Sequence, residues 1–490
     1  MIGNISRTKK VLLLSLGKIF NTLAFLISGI IAARILTKHD YATLKQTFVV
    51  YNTFAPLLAL GLGNVPYYFL PKEENKKSVI INNIILLTIM GMLFSLFLLF
   101  GGYKLIAHYF NNKDLETTLK WMIPYPIYTM PVGIISAVLL VQNKTLLLTK
   151  YQLITNFLLV CLIILGIFLT KNYYGPLIAQ IYFPLVIFPI TLYIIFKNVP
   201  GRITPPKINK MVEMLKYSIP LGVSSMLGMF MLQTDKIIVS SMTSPIDFAN
   251  YINGAIEIPL IGIITGSIAS VILVDMVKYI DQGNKLAALN LFKKAALKSA
   301  SILFPVMIFF LLTGKFFILT LYSEKYIESV LPFTIYLFIL PVRIIIYGSA
   351  LMALGMSKII MIRSFFDLIF NILLSILMVK IFGYIGAAIA TILILYLWTV
   401  PYNLYFIAKG FGVKILDTMP LYELLKILII SILSTPFLIV FISFIKLSYT
   451  LSFLLSIFFY FPLVFFLLYK YGFLDIPNKY LKYILLFKGK

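Results

Sequence analysis

The sequence predicts an all-α polytopic membrane protein of about 14 transmembrane helices, arranged as two pseudo-symmetric six-helix lobes followed by two C-terminal helices. Three observations carry this expectation. Of 490 residues, 61% are apolar and 12% charged, whereas a water-soluble domain has roughly 25% charged and about 45–50% apolar residues. The apolar residues come in runs of span length, and the basic residues crowd onto alternate connections between those runs. A bilayer core takes about 20 apolar residues per helix, so about 14 spans use roughly 280 residues and leave no connection long enough to fold on its own.

Met1 to Lys10 reads as a short basic leader, and the apolar run after it is span-length without a small-residue cleavage site, so it is taken as the first retained helix. The runs then fall at 11–36, 45–70, 79–102, 121–141, 148–170, 173–196, 214–241, 248–275, 298–322, 328–353, 357–380, 383–408, 421–445 and 449–470. Of the 42 Lys and Arg residues, 28 lie on one set of alternate connections and nine, Lys45 among them, on the other. The positive-inside rule then puts both termini in the cytoplasm and accounts for the net charge of +25 without a nucleic-acid partner. The single Cys161 lies in an apolar run, and His39 and His108 lie in hydrophilic connections, so neither a disulfide nor a Cys-based metal site is expected. In the connection 276–298, Leu286, Leu289 and Phe292 share one helical face ringed by lysines, which predicts a helix lying in the cytoplasmic interface; 476–488 reads the same way.

An internal echo divides the chain. Gly175 followed by Ile178-Ala179 and a close on Leu192-Tyr193 through Lys197 recurs as Gly386, Ile389-Ala390 and Leu404-Tyr405 through Lys409. Asp40-Tyr41-Ala42 recurs as Asp247-Phe248-Ala249 at nearly the same offset. Six helices per repeat is an even number, so the two lobes share one membrane orientation and are related by an axis along the bilayer normal. The resulting organisation is a lobe at 1–197, a cytoplasmic linker at 198–213, a lobe at 214–409, and two further helices with a tail at 410–490. Two like lobes are the architecture of an alternating-access carrier. Prolines inside spans, among them Pro56, Pro220, Pro259 and Pro341, either let helices bend between states or serve packing.

Charges inside the apolar runs are the candidate functional residues, because a charge at a helix centre costs about 2.5–3.5 kcal/mol on insertion scales and needs water or a partner. The cations are Lys18, Arg34, Lys236, Lys315 and Arg343; the acids are Asp235, Glu257 and Asp367. Arg343 and Lys18 are the deepest cations, whereas Arg34 and Lys315 lie near outer ends, where snorkelling to the interface explains them as well. Lys236 pairs with Glu257 in one reading, which leaves Asp235 to carry a proton or sodium ion; in the other all three form a static cluster. Asp367 pairs with Arg363 one turn earlier. Central charges that lean basic favour an anionic ligand such as phosphate. Substrate binding is therefore assigned to Arg343, Lys18, Lys236 and Arg34, and ion coupling to Asp235 and Glu257.

The motifs resemble a known family. Leu321-Tyr322-Ser323 with Tyr326 and Leu331-Pro332-Phe333, Leu354-Gly355-Met356-Ser357-Lys358, Asn371 with Leu374, and Phe382-Gly383-Tyr384-Ile385-Gly386-Ala387-Ala388-Ile389-Ala390-Thr391 resemble the second lobe of bacterial polysaccharide flippases. Ala33-Arg34-Ile35-Leu36 through Asp40-Tyr41-Ala42, then Leu60-Gly61-Leu62-Gly63, is similar to that family's first two helices. The resemblance implies the oligosaccharidyl-lipid branch of the multidrug/oligosaccharidyl-lipid/polysaccharide superfamily. It further implies a bacterial cytoplasmic membrane, and transfer of undecaprenyl-diphosphate-linked oligosaccharide from the cytoplasmic to the periplasmic leaflet for O-antigen, capsule or exopolysaccharide synthesis. Polysaccharide polymerase and chain-length proteins are the further partners it implies, with no cofactor. A lipid II-type flippase and a cation-coupled drug exporter are the alternatives within the superfamily.

Other classes fit less well. A lipid-linked glycosyltransferase or polymerase needs a large outer loop or an acidic metal site, and the longest outer connection offers only Asp114 and Glu116. A membrane acyltransferase needs an intramembrane histidine, which is lacking. No Gly-x-x-x-x-Gly-Lys-Ser/Thr loop is present, so no ATPase is built in.

Overall fold

In lipid a chain has to satisfy its backbone N–H and C=O groups within each segment, so long apolar runs fold as helices. The computed structural model describes residues 7–436, 438–440 and 448–474, and the side chains of these apart from 7–18 and scattered positions between 221 and 274. Among the described residues there are helices and no strand. Of the helices among the described residues, nine are long and apolar enough to cross a membrane, or up to eleven if each of two bent pairs is one span. The runs at 11–36 and 214–241 are also helical, and 248–275 is two helices parted by a break at 255–258; all three contain side chains outside the described set, and the stretch 476–488 lies outside it altogether.

Contacts within the chain divide it into two units, Met1–Ala249 and Asn250–Lys490. The first holds α1 (Arg7–Ile35), α2 (Lys38–Ala59), α3 (Val65–Lys72), α4 (Lys76–Phe97), α5 (Tyr103–Tyr109), α6 (Asp114–Met122), α7 (Tyr125–Val132), α8 (Ile135–Val141), α9 (Thr145–Thr170), α10 (Tyr174–Lys197) and α11 (Ile208–Met242). The run 45–70 is not one straight helix: it turns by 66° between Ala59 and Leu62. Leu60 and Gly61 both adopt positive φ there, 48° and 74°. Gly61 is required twice over, because a Cβ on it would also strike the Ser218 carbonyl and the backbone of Gly222 on α11. A second bend of 52° separates α6 from α7, where Pro124 and Pro126 withhold the N–H groups that would continue the helix. The core on one side of this unit collects Leu62, Phe69, Ile80, Val138, Leu148 and Met214. Lipid tails are as apolar as these side chains, so their packing stabilises through dispersion and close fit more than through release of water.

The second unit begins at Asn250, within α12 (Pro245–Gly254), and holds α13 (Pro259–Asp281), α14 (Lys285–Tyr322), α15 (Val330–Tyr336), α16 (Leu340–Arg343), α17 (Tyr347–Ala353), α18 (Ser357–Phe382), α19 (Tyr384–Ile394), α20 (Val400–Phe411), α21 (Leu421–Leu433) and α22 (Tyr449–Lys470). The expected interfacial helix is corrected here. Residues 285–322 form one 38-residue helix, capped by the Asn284 side chain accepting from Ala287 N. Phe292 is fully buried and Leu289 nearly so, and Lys285 Nζ donates to the Gly410 carbonyl at 3.2 Å. Two of the three residues of the expected apolar face are therefore covered by protein, whereas Leu286 is exposed. The two C-terminal helices dock on the same helix through aromatic packing: the Phe309 ring lies 5.6 Å from Tyr460 and 4.9 Å from Phe461, and Tyr460 donates to the Ser431 carbonyl of α21 at 3.0 Å.

The sequence echoes coincide with equivalent local devices in the two copies of each motif. Thr37 Oγ1 accepts from Asp40 N at 3.0 Å and donates to Asp40 Oδ2 at 2.8 Å. Ser244 Oγ does the same with Asp247, at 3.1 and 2.8 Å. Each is a capping interaction that starts the next helix, and the residues that follow, Tyr41-Ala42 and Phe248-Ala249, are buried. The second echo is a close approach. A Cβ on Gly175 would strike Gly166 on α9, and one on Gly386 would strike the Met378 carbonyl on α18, so in both places a glycine lets a helix lie against its predecessor.

Candidate functional site

In the second unit two helix breaks carry opposite charges. Helix α12 ends at Gly254, residues 255–258 are non-helical, and α13 resumes with Pro259 in its first turn; Glu257 sits in that gap. The stretch 324–353 is interrupted in the same way, with Arg343 ending α16 two residues after Pro341 and Ile346 leaving helical geometry at ψ 59° before α17 begins. Each charge matches its helix end, an acid before an N-terminus and a base at a C-terminus, which the helix dipole favours. Arg343 Nε donates to Glu257 Oε1 at 2.7 Å and Nη2 donates to the same oxygen at 2.5 Å. One carboxylate oxygen thus takes two donors, and the Nη1 group has no partner among the described residues. The side chains are 51% and 39% exposed. An ion pair at breaks in apolar helices needs water around it, and irregular backbone at membrane depth is tolerated where it lines a hydrated cavity.

One reading of the sequence paired Glu257 with Lys236, and the other put both with Asp235 in one static cluster. Within the second unit this carboxylate is held by Arg343, because Glu257 lies in a helix break that the apolar run concealed. Asp367 meets its expected partner, with Arg363 Nε 3.1 Å from Asp367 Oδ2. Thr399 Oγ1 donates to Asp367 Oδ1 at 3.0 Å, and Arg363 Nη1 donates to Asn403 Oδ1 at 3.2 Å. Thr399 closes a widened π turn, Leu395–Thr399, between α19 and α20. At 1% exposure Asp367 belongs to a closed structural network that joins α18 to α20.

The other candidates, Lys315 excepted, lie in the first unit. Asp235 is buried, and its Oδ1 accepts the backbone N–H of Lys236 at 2.9 Å. Arg34 is exposed in the last turn of α1. Lys18 lies on α1, and its side chain is outside the described residues. Lys315 is exposed on α14, consistent with snorkelling.

A cation the sequence reading assigned to a loop belongs inside a helix. Lys45 is seven residues into α2, its Nζ is 5.3 Å from the centre of the Tyr41 ring, and the Lys236 charge acts on it. The signal was legible: Thr37-Lys-His-Asp40 is a capping sequence that starts the helix at Lys38 and so draws Lys45 into the bundle. Beside it a buried network holds α2 in register. Asn112 Nδ2 donates to Thr43 Oγ1 at 2.8 Å and to Gln46 Oε1 at 2.7 Å, Gln46 Nε2 donates to Ser240 Oγ at 3.4 Å, and Thr47 donates to Thr118 at 2.7 Å. At the start of α2, His39 Nδ1 lies 3.5 Å from Asp114 Oδ2.

The fold has solved counterparts. The structure is similar to that of a lipid II flippase, MurJ, in an inward closed conformation, with a TM-score of 0.74 and 18% identity over 93% of this chain and 97% of the other. It is also similar to an inward-facing multidrug resistance MATE family transporter of the MOP superfamily, with a TM-score of 0.63 and 14% identity over 82% and 98%. A MOP superfamily transporter from Pyrococcus furiosus aligns with a TM-score of 0.54 and 15% identity over 82% and 94%. At these identities the likeness establishes the fold. No curated protein sequence matches. Residues 31–331, more than half of the chain, match a family described as polysaccharide biosynthesis protein. The chain therefore belongs to the polysaccharide biosynthesis protein family and carries the all-helical fold of MOP-superfamily flippases and transporters.

Proposed function

We propose that the protein is a flippase that moves undecaprenyl-diphosphate-linked oligosaccharide from the cytoplasmic to the periplasmic leaflet by alternating access, and that it performs no catalysis. Its place is the bacterial cytoplasmic membrane with both termini inside, which the distribution of basic residues supports. The lobes at 1–197 and 214–409 are its moving parts, supported by the paired caps and glycine contacts. The observation that carries the reading is the Arg343–Glu257 pair at two helix breaks. A guanidinium fork matches phosphate, and Arg343 retains donors that Glu257 leaves unused. Glu257 then acts as a resident counter-ion. When a diphosphate takes Arg343, the displaced carboxylate is left without counter-charge and takes up a proton or sodium ion, with Asp235 as the second acid in this role. Lys18, Lys236 and Arg34 complete the cationic set, and polymerase and chain-length proteins receive the product.

A lipid II-type substrate is the second reading, favoured by the likeness to the lipid II flippase; both substrates present the same diphosphate to Arg343. In a strain lacking this protein, lipid-linked repeat units accumulate on the cytoplasmic face. Unpolymerised units found outside instead would replace this reading with a polymerase, and accumulation of lipid II would select the second substrate.

A further inference from the structure

The break that carries Arg343 is tied down on both sides by hydroxyl groups of the second unit. Just before it the chain passes through a 3-10 turn, Leu337–Ile339. In such a turn the Phe338 carbonyl would meet the N–H of residue 341, and Pro341 has none. Tyr396 supplies a donor there, its hydroxyl donating to the Phe338 carbonyl at 3.0 Å. Just after the break, Ser349 Oγ on α17 donates to the Ala269 carbonyl at 3.1 Å, which ties the segment to α13, the helix that Glu257 precedes. Arg343 lies between these two anchors. Tyr347, which opens α17, has a buried hydroxyl with no hydrogen-bond partner among the described residues, so it does not add a third.

Tyr396 stands near the middle of the helical stretch Tyr384–Phe411, away from the ends where membrane tyrosines gather. A hydroxyl in an apolar setting costs free energy unless it is bonded, so its partner matters at this depth. The π turn Leu395–Thr399 sets its direction. A π turn holds one residue more than an α-helical turn, and so re-aims the side chains on its two sides. Near the start of the turn Tyr396 reaches Phe338; at its end Thr399 donates to Asp367 Oδ1 at 3.0 Å. The buried Asp367–Arg363 pair thus holds one end of the turn, and the other end holds the stretch before Arg343. Tyr347 lies within electrostatic reach of both Tyr396 and Arg363, which places the two ends in one neighbourhood.

We propose that Tyr396 is a positioning residue for Arg343: its bond to Phe338 fixes the helix break and with it the direction of the guanidinium fork, and the π turn joins it to the Asp367–Arg363 network. The proposal rests on the reading of Arg343 as the group that binds the diphosphate. It gives the buried network a purpose beyond joining α18 to α20. A fork held in place by hydrogen bonds meets a diphosphate without first losing conformational freedom, which a fork on a loosened break has to do.

The full chain in nanodiscs provides the test, with inorganic pyrophosphate as the probe in calorimetric titrations. Tyr396→Phe keeps the ring and removes the hydroxyl, and weakens pyrophosphate binding by about three- to tenfold, the range of one neutral hydrogen bond. In Arg343→Ala the same change has no further effect, because a positioning residue acts only through the residue it places. Position is also read without any ligand. In a chain carrying Cys161→Ser and Arg343→Cys, the rate at which a charged methanethiosulfonate reagent modifies position 343 changes several-fold when Tyr396→Phe is added, and in the same direction when Thr399→Val is added. An unchanged labelling rate in Tyr396→Phe overturns the positioning role, and an unchanged rate in Thr399→Val overturns the part given to the π turn and the buried network. Equal loss of pyrophosphate binding from Tyr396→Phe with and without Arg343 also overturns it, since that marks a general loosening of the second unit. The two readings fail separately: pyrophosphate binding that is the same in Arg343→Ala as in the unaltered chain defeats the diphosphate reading, while the ligand-free labelling still decides whether Tyr396 places residue 343.

Discussion

Replacing Arg343 by alanine removes one partner of an exposed Arg–Glu pair, and the structure separates what this does to stability from what it does to transport. At an effective dielectric near 20, two unit charges about 4 Å apart attract by about 4 kcal/mol. Here both side chains are about half exposed, so water screens the pair, and exposed pairs contribute about 0.2–1 kcal/mol when measured by double-mutant cycles. Arg343→Ala should therefore lower the melting temperature by no more than about 4 °C. A guanidinium–phosphate contact contributes about 1.5–3 kcal/mol, which is roughly 10- to 150-fold in rate. In proteoliposomes loaded with labelled lipid-linked oligosaccharide, Arg343→Ala should lose at least about tenfold in flux while folding normally, and Arg343→Lys should keep part of it because charge survives without the fork. Glu257→Gln removes the competing carboxylate, so diphosphate should bind up to about fivefold more tightly, the equivalent of about 1 kcal/mol. Wild-type flux in Arg343→Ala would refute the reasoning, and so would weaker diphosphate binding in Glu257→Gln.

Three further outcomes are expected. Asp235→Asn should lose uptake driven by an imposed ion or voltage gradient while retaining exchange; an unaltered gradient response would exclude it from coupling. Gly386→Val drives a side chain into the Met378 carbonyl and should destabilise the second unit by about 1–3 kcal/mol, so a melting temperature equal to that of the unaltered chain would show that α18 and α19 can separate there. Asp367→Asn leaves the Arg363 charge buried without its carboxylate and should cost about 3–5 kcal/mol, most of which the double change Asp367→Leu with Arg363→Met restores; retention of full stability in the single variant would contradict the closed network.

Legibility in the sequence depended on how local the cause was. The spacing Arg363 to Asp367 is one helical turn, so their pairing follows from periodicity alone. The echo Asp40-Tyr41-Ala42 and Asp247-Phe248-Ala249 was visible as a pattern, and the structure supplies its cause, a capping side chain three residues earlier in each copy. Lys45 was misassigned because hydropathy marks a helix only where it turns apolar, whereas the cap at Thr37 begins the helix in polar residues. The segment at 285–294 was misread because amphipathicity says that a face is covered without saying by what; protein buries Phe292.

Composition and run length were enough to make the chain a helical membrane protein, since both measure the solvent in which the backbone has to satisfy itself. The ordered motifs of the second half were enough to indicate the family. The partner of Glu257 was not legible. It depends on two helices breaking at the same depth, one before Pro259 and one after Pro341, and on the 86 residues between Glu257 and Arg343 folding so that the breaks meet. Side-chain partnership between distant segments is set by packing geometry, and hydropathy, which averages over a turn or more, is blind to a break of four residues; that is why the charges could be chosen from the sequence and their pairing could not.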